Sequence, residues 1–562
     1  MTDPSQAGGQ VLDQASTLLS ETRRLIDRVL VDLKSKTLEG ERVSPAKLDN
    51  YQLVSYEISL CWAECTSARF LLDYAGRLQA EAPGAAGFAG RLATLFCAEA
   101  VTATTGRLRA RPADFGLIEA DINAVSGSDA AAGFLATHLA ADNIAAIGEE
   151  VLQRDGDLGA DLLDENHTIM RDTFRRFADD VVAPLAEEIH RGDLDIPEEI
   201  LSPLREMGMF GLSIPENYGG LQEEGREDTL GMCVVTEELS RGSLGAAGSL
   251  ITRPEIVARA LLKGGTEEQK QHWLPQVAVG EPLCAVAVTE PNYGSDVAGV
   301  RLKASPVEGG WTFNGAKTWC TFGGKAGLLM VLARTNPDPA AGHRGLSMFL
   351  VEKPASEGHA FEVDQPSGGK LTGRAIATLG YRGMHSFELF FDDFFVPAEN
   401  VIGGVDGEGK GFYYAMAGFA GGRIQTAARA VGLMRAAFEK SISYAKERVV
   451  FDHPIADYQL TRVKLARMAA HLLACRQITY GVSDLMDSGA GDMEASGAKL
   501  FASKTAEWFT REALQIHGGM GYAEETPVSR YFADARVLSI FEGAEETLAL
   551  KVITRSLVEN AA

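Results

Sequence analysis

The hydrophobic period of this chain changes twice, and those changes restrict its fold more than any other feature. Before residue 284 apolar residues recur at helical spacing: Val11-Leu12, Leu18-Leu19, Ile26 and Leu30, then Leu60, Phe70-Leu71, Leu95-Phe96 and Val101, then Met170, Phe174 and Phe177. Between 284 and 403 the texture becomes short and β-prone, in PLCAVAVT, GLLMVLAR, GLSMFLVE and FELFFDDFFVP. Asn314-Gly315, inside EGGWTFNGAKTWCT, predicts a turn between two strands. From about 410 the helical period returns and runs to the end. Clusters of Gly and Pro at 83–90 and 111–116 predict turns. The expected fold class is α+β, mainly α, in four parts. These are a helical extension over 1–155, a helical domain over 161–283, a β domain over 284–405 and a helical bundle over 406–562. A length of 562 residues, at roughly 150 per domain, predicts the same three or four domains.

Charge and cysteine usage narrow the function classes. Lys+Arg 53 against Asp+Glu 77 leaves a formal charge of −24, which opposes binding to a phosphate backbone, so no nucleic-acid partner is expected. No uncharged apolar run approaches the roughly 18 residues of a membrane span, and MTDPSQAGGQ lacks the basic start and apolar stretch of a secretory signal. The seven cysteines form no CxxC pair and no metal-ligand spacing with histidine, so neither a metal site nor a disulfide framework is expected. Scattered thiols suit a reducing compartment, and the expected location is the cytoplasm. SGGKLT at 367–372 lacks the hydroxyl that a phosphate loop places directly after its lysine. HExxH, GxSxG and a GxGxxG after a strand are all absent.

One internal similarity bears on architecture. YQLVSYEISLCWAECTSARF at 51–70 lies on YQLTRVKLARMAAHLLACRQ at 458–477 without gaps, and Leu95-Phe96 then falls near Leu500-Phe501. Two readings stay open: the extension is a degenerate copy of the C-terminal bundle, or two amphipathic helices coincide.

Four separated segments carry candidate chemistry. AVAVTEPNYGSDVAG, 285–299, is a strand ending in a Gly-containing loop whose N–H groups and hydroxyls suit phosphate or flavin oxygens. The others are KTWCTFGGKAG at 317–327, ERVVFDHPIADYQ at 447–459, and QIHGGMGY at 515–522 followed by SRYFADARVLSIFEGAEE. Each alone has a structural explanation: a hairpin, a core Trp, an interhelical turn, a helix cap. In this order and spacing they resemble the acyl-CoA dehydrogenase family over residues 161–562.

The resemblance implies an acyl-CoA dehydrogenase-like fold, in which a middle β domain and two helical domains enclose FAD. It implies that Val288, Thr289 and Ser295 belong to the loop holding flavin, with Ser295 also meeting the acyl-CoA. Trp319 would lie against the isoalloxazine and Thr321 would donate near N5. Arg448 and Phe451 match the pair gripping the pyrophosphate side, and Gln515, Gly518 and Gly519 the turn reaching the flavin of a neighbouring subunit. Glu546 follows among the cofactor positions, Arg423 and Gly543 match substrate-binding positions, and Glu542 matches the catalytic carboxylate. Some members place the base just before the arginine matched by Arg423, but here that neighbour is Gly422.

The chemistry accounts for these residue types. The α-proton of a thioester is weakly acidic, so its removal needs a positioned base and donors for the developing enolate. A flavin takes the β-hydride as that proton leaves. A carboxylate in a water-poor pocket has a raised pKa and is a better base. Departures from the family pattern are Ala544 and Glu546 in place of Thr and Gln, Phe451-Asp452-His453-Pro454 in place of Phe-Gly-x-Pro, and Ala420 at an often acidic position. They bear on how FAD is held more than on the reaction.

Arg253, in GSLGAAGSLITRPEIV, falls where the family lines the acyl tail. A buried cation needs a partner, and Arg suits carboxylates, so a short dicarboxylic thioester is expected unless Glu255 or another acid pairs with it. A helical extension of this size resembles family members that oxidise methylsuccinyl-CoA to mesaconyl-CoA in the ethylmalonyl-CoA route, with electron-transferring flavoprotein as acceptor. The family is commonly tetrameric; an extension imitating the bundle would cover the same apolar face and stop assembly at a homodimer. Alternatives within the resemblance are another short-chain dehydrogenase (glutaryl-, isobutyryl- or butyryl-CoA) and an acyl-CoA oxidase. A non-catalytic acyl-CoA-binding or assembly protein is the remote one.

Overall fold

The computed structural model describes residues 4–562. The chain forms two compact units: one from residues up to 168 together with 426–562, the other from 169–425. The boundary between them falls within the long Gly411–Glu447 helix.

In the first unit the extension supplies the helices Pro4–Thr37, Gln52–Glu81, Pro83–Ala110 and Ala141–Gln153. Gln52–Glu81 buries Ile58, Cys61, Trp62, Cys65, Ala68, Leu71 and Leu72, a stripe at steps of three and four. It packs against Gln459–Asp487 and Asp492–Ile516 of the C-terminal bundle. Glycine permits that close approach: a Cβ on Gly497 would lie 2.3 Å from the Trp62 ring, and one on Gly481 2.3 Å from that of Phe70. Phe96 meets Phe501 edge-on at 5.6 Å, so two positions that the internal similarity brings near one another in alignment touch in space. Arg467 pairs with Glu99 at 2.6 Å across the same layer. The turn expected over 83–90 is absent. The chain breaks only at Ala82 (φ −144°, ψ 67°), and Pro83 opens the next helix at its first turn, where a missing N–H costs nothing. Burial of Phe88, Ala89, Leu92 and Ala93 outweighs the low helix propensity of the glycines there.

The second unit is a helical part beside an eight-stranded sheet. The strand order is Cys284–Ala287, Leu328–Arg334, Lys303–Val307, Gly310–Thr321, Ser386–Pro397, Lys370–Ala375, Ala360–Asp364, and Leu346–Glu352 pairs with Leu328–Arg334. One core joins Phe174, Phe177, Ile200, Leu204, Phe210 and Leu239 of the helices to Phe322 and Met384 of the β region. Asn314-Gly315 is not a hairpin turn. Gly310–Thr321 runs straight through it, and the chain reverses instead at Glu308-Gly309, where Gly309 has φ +78°. Asn314 serves a bulge in the partner strand: its side-chain oxygen accepts from the Asp393 N–H at 3.1 Å and its amide donates to the Asp393 carboxylate at 2.9 Å. All seven cysteines are buried and unpaired with one another. Among the described residues no single helix is long and apolar enough to cross a membrane.

Candidate active site

The candidate positions divide between the units. Arg253, Val288, Thr289, Ser295, Trp319, Thr321 and Arg423 lie in 169–425; Arg448, Phe451, Gln515, Gly518, Gly519, Glu542, Gly543 and Glu546 lie in 426–562.

In the second unit, Cys284–Ala287 runs parallel to Leu328–Arg334 and delivers Val288 and Thr289 at its end. The Thr289 carbonyl accepts from the Thr318 N–H at 2.9 Å, and the Val288 carbonyl from the Lys317 ammonium at 2.9 Å. Lys317 is wholly buried and pairs with Glu290 at 2.8 Å, while the Glu290 carboxylate accepts from the N–H groups of Arg301 (2.6 Å) and Leu302 (2.7 Å). Burial pushes the Lys317 ammonium down to about 8, against the opposing pull of Glu290. Loop and strand are thereby fastened together. Ser295 lies on an exposed turn just beyond.

Trp319 owes its position to a bulge. Cys320 pairs with Phe387 and Lys317 with Leu389, so Thr318 and Trp319 together oppose one residue. With φ +57° the indole turns out of the sheet and is 55% exposed, a rare state for so large an apolar group. Thr321 is buried, its hydroxyl 3.0 Å from that of Ser386. Beside it, the Phe322 N–H donates to the His385 carbonyl at 2.8 Å. The His385 ring lies between Asp195 (3.0 Å) and Asp193 (3.2 Å). Burial works against its charge, but these carboxylates win and raise its pKa above the usual imidazole value.

Arg253 stands in the first turn of the Thr252–Gly264 helix rather than in a loop, and is only 6% exposed. Its single hydrogen bond among the described residues is to the Ser249 carbonyl at 3.3 Å. Glu255 does not pair with it, being held by Arg259 at 2.8 Å and by the Gln425 amide. The Cys320 thiol, pushed up to about 12 by burial, also feels the Arg253 charge, which sets this guanidinium near the Trp319 strand. Arg423 is half-buried on Gly411–Glu447.

In the first unit, Arg448 follows the Gly411–Glu447 helix and leads into a two-residue hairpin between Val449–Val450 and His453–Pro454. Phe451 and Asp452 have φ +51° and +66°, the geometry of a type I′ turn. Asp452 thus adopts the left-handed conformation that glycine would take, as Asp tolerates. Phe451 is 86% exposed. His517 stacks on Tyr444 at 4.4 Å, tying Gln515, in the last turn of Asp492–Ile516, and the exposed Gly518-Gly519 that follow to the end of the helix that leads to Arg448. A Cβ on either glycine would meet nothing within 4 Å, so bare backbone faces outward. Glu542 has φ +52° and is half-buried, and Gly543 has φ +99°. The ammonium of Lys499, 1% exposed, donates to the carbonyls of Phe541 (2.6 Å) and Gly543, one on each side of Glu542. Glu546 is exposed.

Trp319, Phe451 and Glu542 therefore share a left-handed backbone, a state that non-glycine residues keep only where the surroundings impose it and that gathers at functional sites. Taken unit by unit, Trp319 presents an outward indole, a face suited to a flat aromatic ring, and Arg448 and Phe451 present an exposed guanidinium and an exposed ring.

Residues 164–281 match the acyl-CoA dehydrogenase N-terminal domain, 285–394 the middle domain and 409–558 the C-terminal domain. The chain belongs to the acyl-CoA dehydrogenase family. It is 40% identical to the (2S)-methylsuccinyl-CoA dehydrogenase of Cereibacter sphaeroides over 98% of this chain and 99% of that protein. Among solved structures it is similar to butyryl-CoA dehydrogenase of Megasphaera elsdenii (32% identity, 69% of this chain, 97% of that chain, TM-score 0.63). It is also similar to a glutaryl-CoA dehydrogenase of Mycobacterium smegmatis in complex with FADH2 (26%, 71% and 96%, TM-score 0.63). Members of the family bind FAD and act as oxidoreductases on CH–CH groups.

Sequence reasoning passed over Lys317, Glu290, Lys499 and the His385 clamp. The lysines left one trace, a charge at a position flanked by core residues, as in GAKLFASK. Replacing Lys317 by Ala strands the buried Glu290 carboxylate, and about 3–5 kcal/mol of stability should be lost. Flavin retention on gel filtration and the thermal midpoint should fall together.

Proposed function

We propose that this dehydrogenase oxidises a short, branched dicarboxylic acyl-CoA thioester, (2S)-methylsuccinyl-CoA to mesaconyl-CoA, in the ethylmalonyl-CoA pathway of the cytoplasm. The observation that carries the substrate class is Arg253, a buried guanidinium whose one hydrogen bond among the described residues is to a carbonyl. A cation so placed is costly until a carboxylate meets it, and the distal carboxylate of the substrate supplies one. The 40% identity to methylsuccinyl-CoA dehydrogenase along the whole chain, extension included, supports the same substrate.

FAD, when bound, supplies a two-electron acceptor for the β-hydride. Trp319, turned out at its bulge, is the wall against the flavin ring; Val288, Thr289, Ser295 and Thr321 belong to the loop and strand that hold that ring. Arg448, Phe451, Gln515, Gly518, Gly519 and Glu546 are the positions assigned to the rest of the cofactor. Glu542 removes the α-proton, and Gly543, lacking a side chain, leaves room for the thioester. Arg423 is assigned to the substrate. Electrons leave through electron-transferring flavoprotein. The active form is a homodimer, because the extension already covers Gln459–Asp487 and Asp492–Ile516.

Anaerobic bleaching of the bound flavin by a panel of thioesters tests the substrate. Methylsuccinyl-CoA should bleach fastest, and butyryl-CoA reacting equally well would sink the dicarboxylate reading. Arg253→Met should lower kcat/KM for the dicarboxylic ester about ten- to a hundredfold, the worth of charged hydrogen bonds, with little change for butyryl-CoA. Hydrogen peroxide made without an added acceptor would point to an oxidase instead. Sedimentation of the full-length protein should give a dimer; a tetramer refutes the role assigned to the extension.

A further inference from the structure

The loop carrying Glu542 is gripped from two sides, and one grip comes from the N-terminal extension. Lys499 holds the carbonyls of Phe541 and Gly543 from within the bundle. On the other side, the Tyr56 hydroxyl, from the extension helix Gln52–Glu81, donates to the Glu545 carboxylate at 2.7 Å. Lys504 completes a triad, donating to the Tyr56 hydroxyl at 3.1 Å and to Glu545 at 3.2 Å. Just beyond the loop the extension grips again. The Ser59 hydroxyl donates to the Ala549 carbonyl at 2.9 Å, and the Thr554 hydroxyl to the Ser55 carbonyl at 2.7 Å.

These bonds matter because Glu542 sits in a conformation it would not choose. A left-handed φ on a glutamate persists only when its neighbours fix the backbone on either side. Gly543 cannot do so alone, being the most permissive residue of the turn. Glu545, three residues along, is the first side chain after Glu542 anchored to another helix, and its phenol partner is supplied by the extension. A phenol, unlike a second ammonium, orients one carboxylate oxygen by a directional O–H bond without adding charge.

We propose that Tyr56 is a positioning residue for the proton-abstracting loop, acting on Glu542 through Glu545. The extension then tunes the reaction as well as covering the bundle. The inference rests on Glu542 as the base.

Full-length Tyr56→Phe, which removes only the hydroxyl, is the test, with Glu545→Gln as a second route to the same bond. A misplaced base slows proton removal far more than binding. In Tyr56→Phe, kcat should therefore fall about tenfold, with flavin absorbance kept and KM within about twofold of wild type. The primary isotope effect on flavin bleaching should rise when the best thioester is deuterated at its α-carbon. Tyr56→Phe/Glu545→Gln should be no slower than the slower single variant. Phe70→Leu, which loosens the extension against Gly481 away from the loop, should lower the thermal midpoint and leave the isotope effect alone. The proposal is overturned if Tyr56→Phe keeps kcat within twofold and an unchanged isotope effect. It is equally overturned if Phe70→Leu reproduces the kinetic change, or, should Tyr56→Phe not fold, if Glu545→Gln is kinetically normal. Glu542→Gln separates the two readings: it should retain the visible spectrum and abolish bleaching, and persistent bleaching would remove the base assignment itself.

Discussion

Lys317 and Lys499 each carry an ammonium group into a dry interior and direct hydrogen bonds at backbone carbonyls of a loop that bears candidate site residues. Lys317 binds the carbonyl of Val288, Lys499 those of Phe541 and Gly543. Lys353 repeats the device on Gly324 and on Pro354, at 2.7 and 2.9 Å. A buried charge is tolerable only when its donors are satisfied, so these lysines and their loops are mutually dependent. Loops fastened in this way can hold conformations that open chain would avoid. The left-handed Trp319 and Glu542 are both within three residues of such a bond.

Rigidity of this kind suits proton abstraction. A base and a hydride acceptor must both be in place at once, and small displacements of either cost large factors in rate. The His385 clamp is similarly rigid: two carboxylates fix the ring of a residue whose backbone carbonyl holds Phe322, next to Thr321. Arg253 differs in kind. Among the described residues its one hydrogen bond is to the Ser249 carbonyl, whereas His385 is held by two carboxylates.

The extension illustrates how one surface can acquire two uses. Its apolar stripe finds the bundle through ordinary packing, with Trp62 against Gly497 and Phe96 against Phe501. Once docked, its few polar side chains fall against the turn that follows Glu542. Packing created the proximity, and Tyr56 and Ser59 turned it into directed hydrogen bonds.

Periodicity along the chain was sufficient to set out helices, strands and their order, because burial of one face imposes a period whatever lies opposite. Residue types at their spacings likewise identified the family and nominated Trp319, Arg448 and Glu542. The failures are local and have a common cause. Asn314-Gly315 carries the signature of a hairpin, yet pairing on both edges kept the strand running and gave the dipeptide a bulge to serve. Pro83 and its neighbouring glycines looked like a turn, but a proline also begins a helix well. Which lysines are buried, which carbonyls they reach and which tyrosine meets Glu545 depended on elements brought together from distant parts of the chain. Pattern within a segment reports whether a face is apolar. Only the packed structure decides which polar atom a buried charge will meet, because that partner is chosen by proximity in space and not along the sequence.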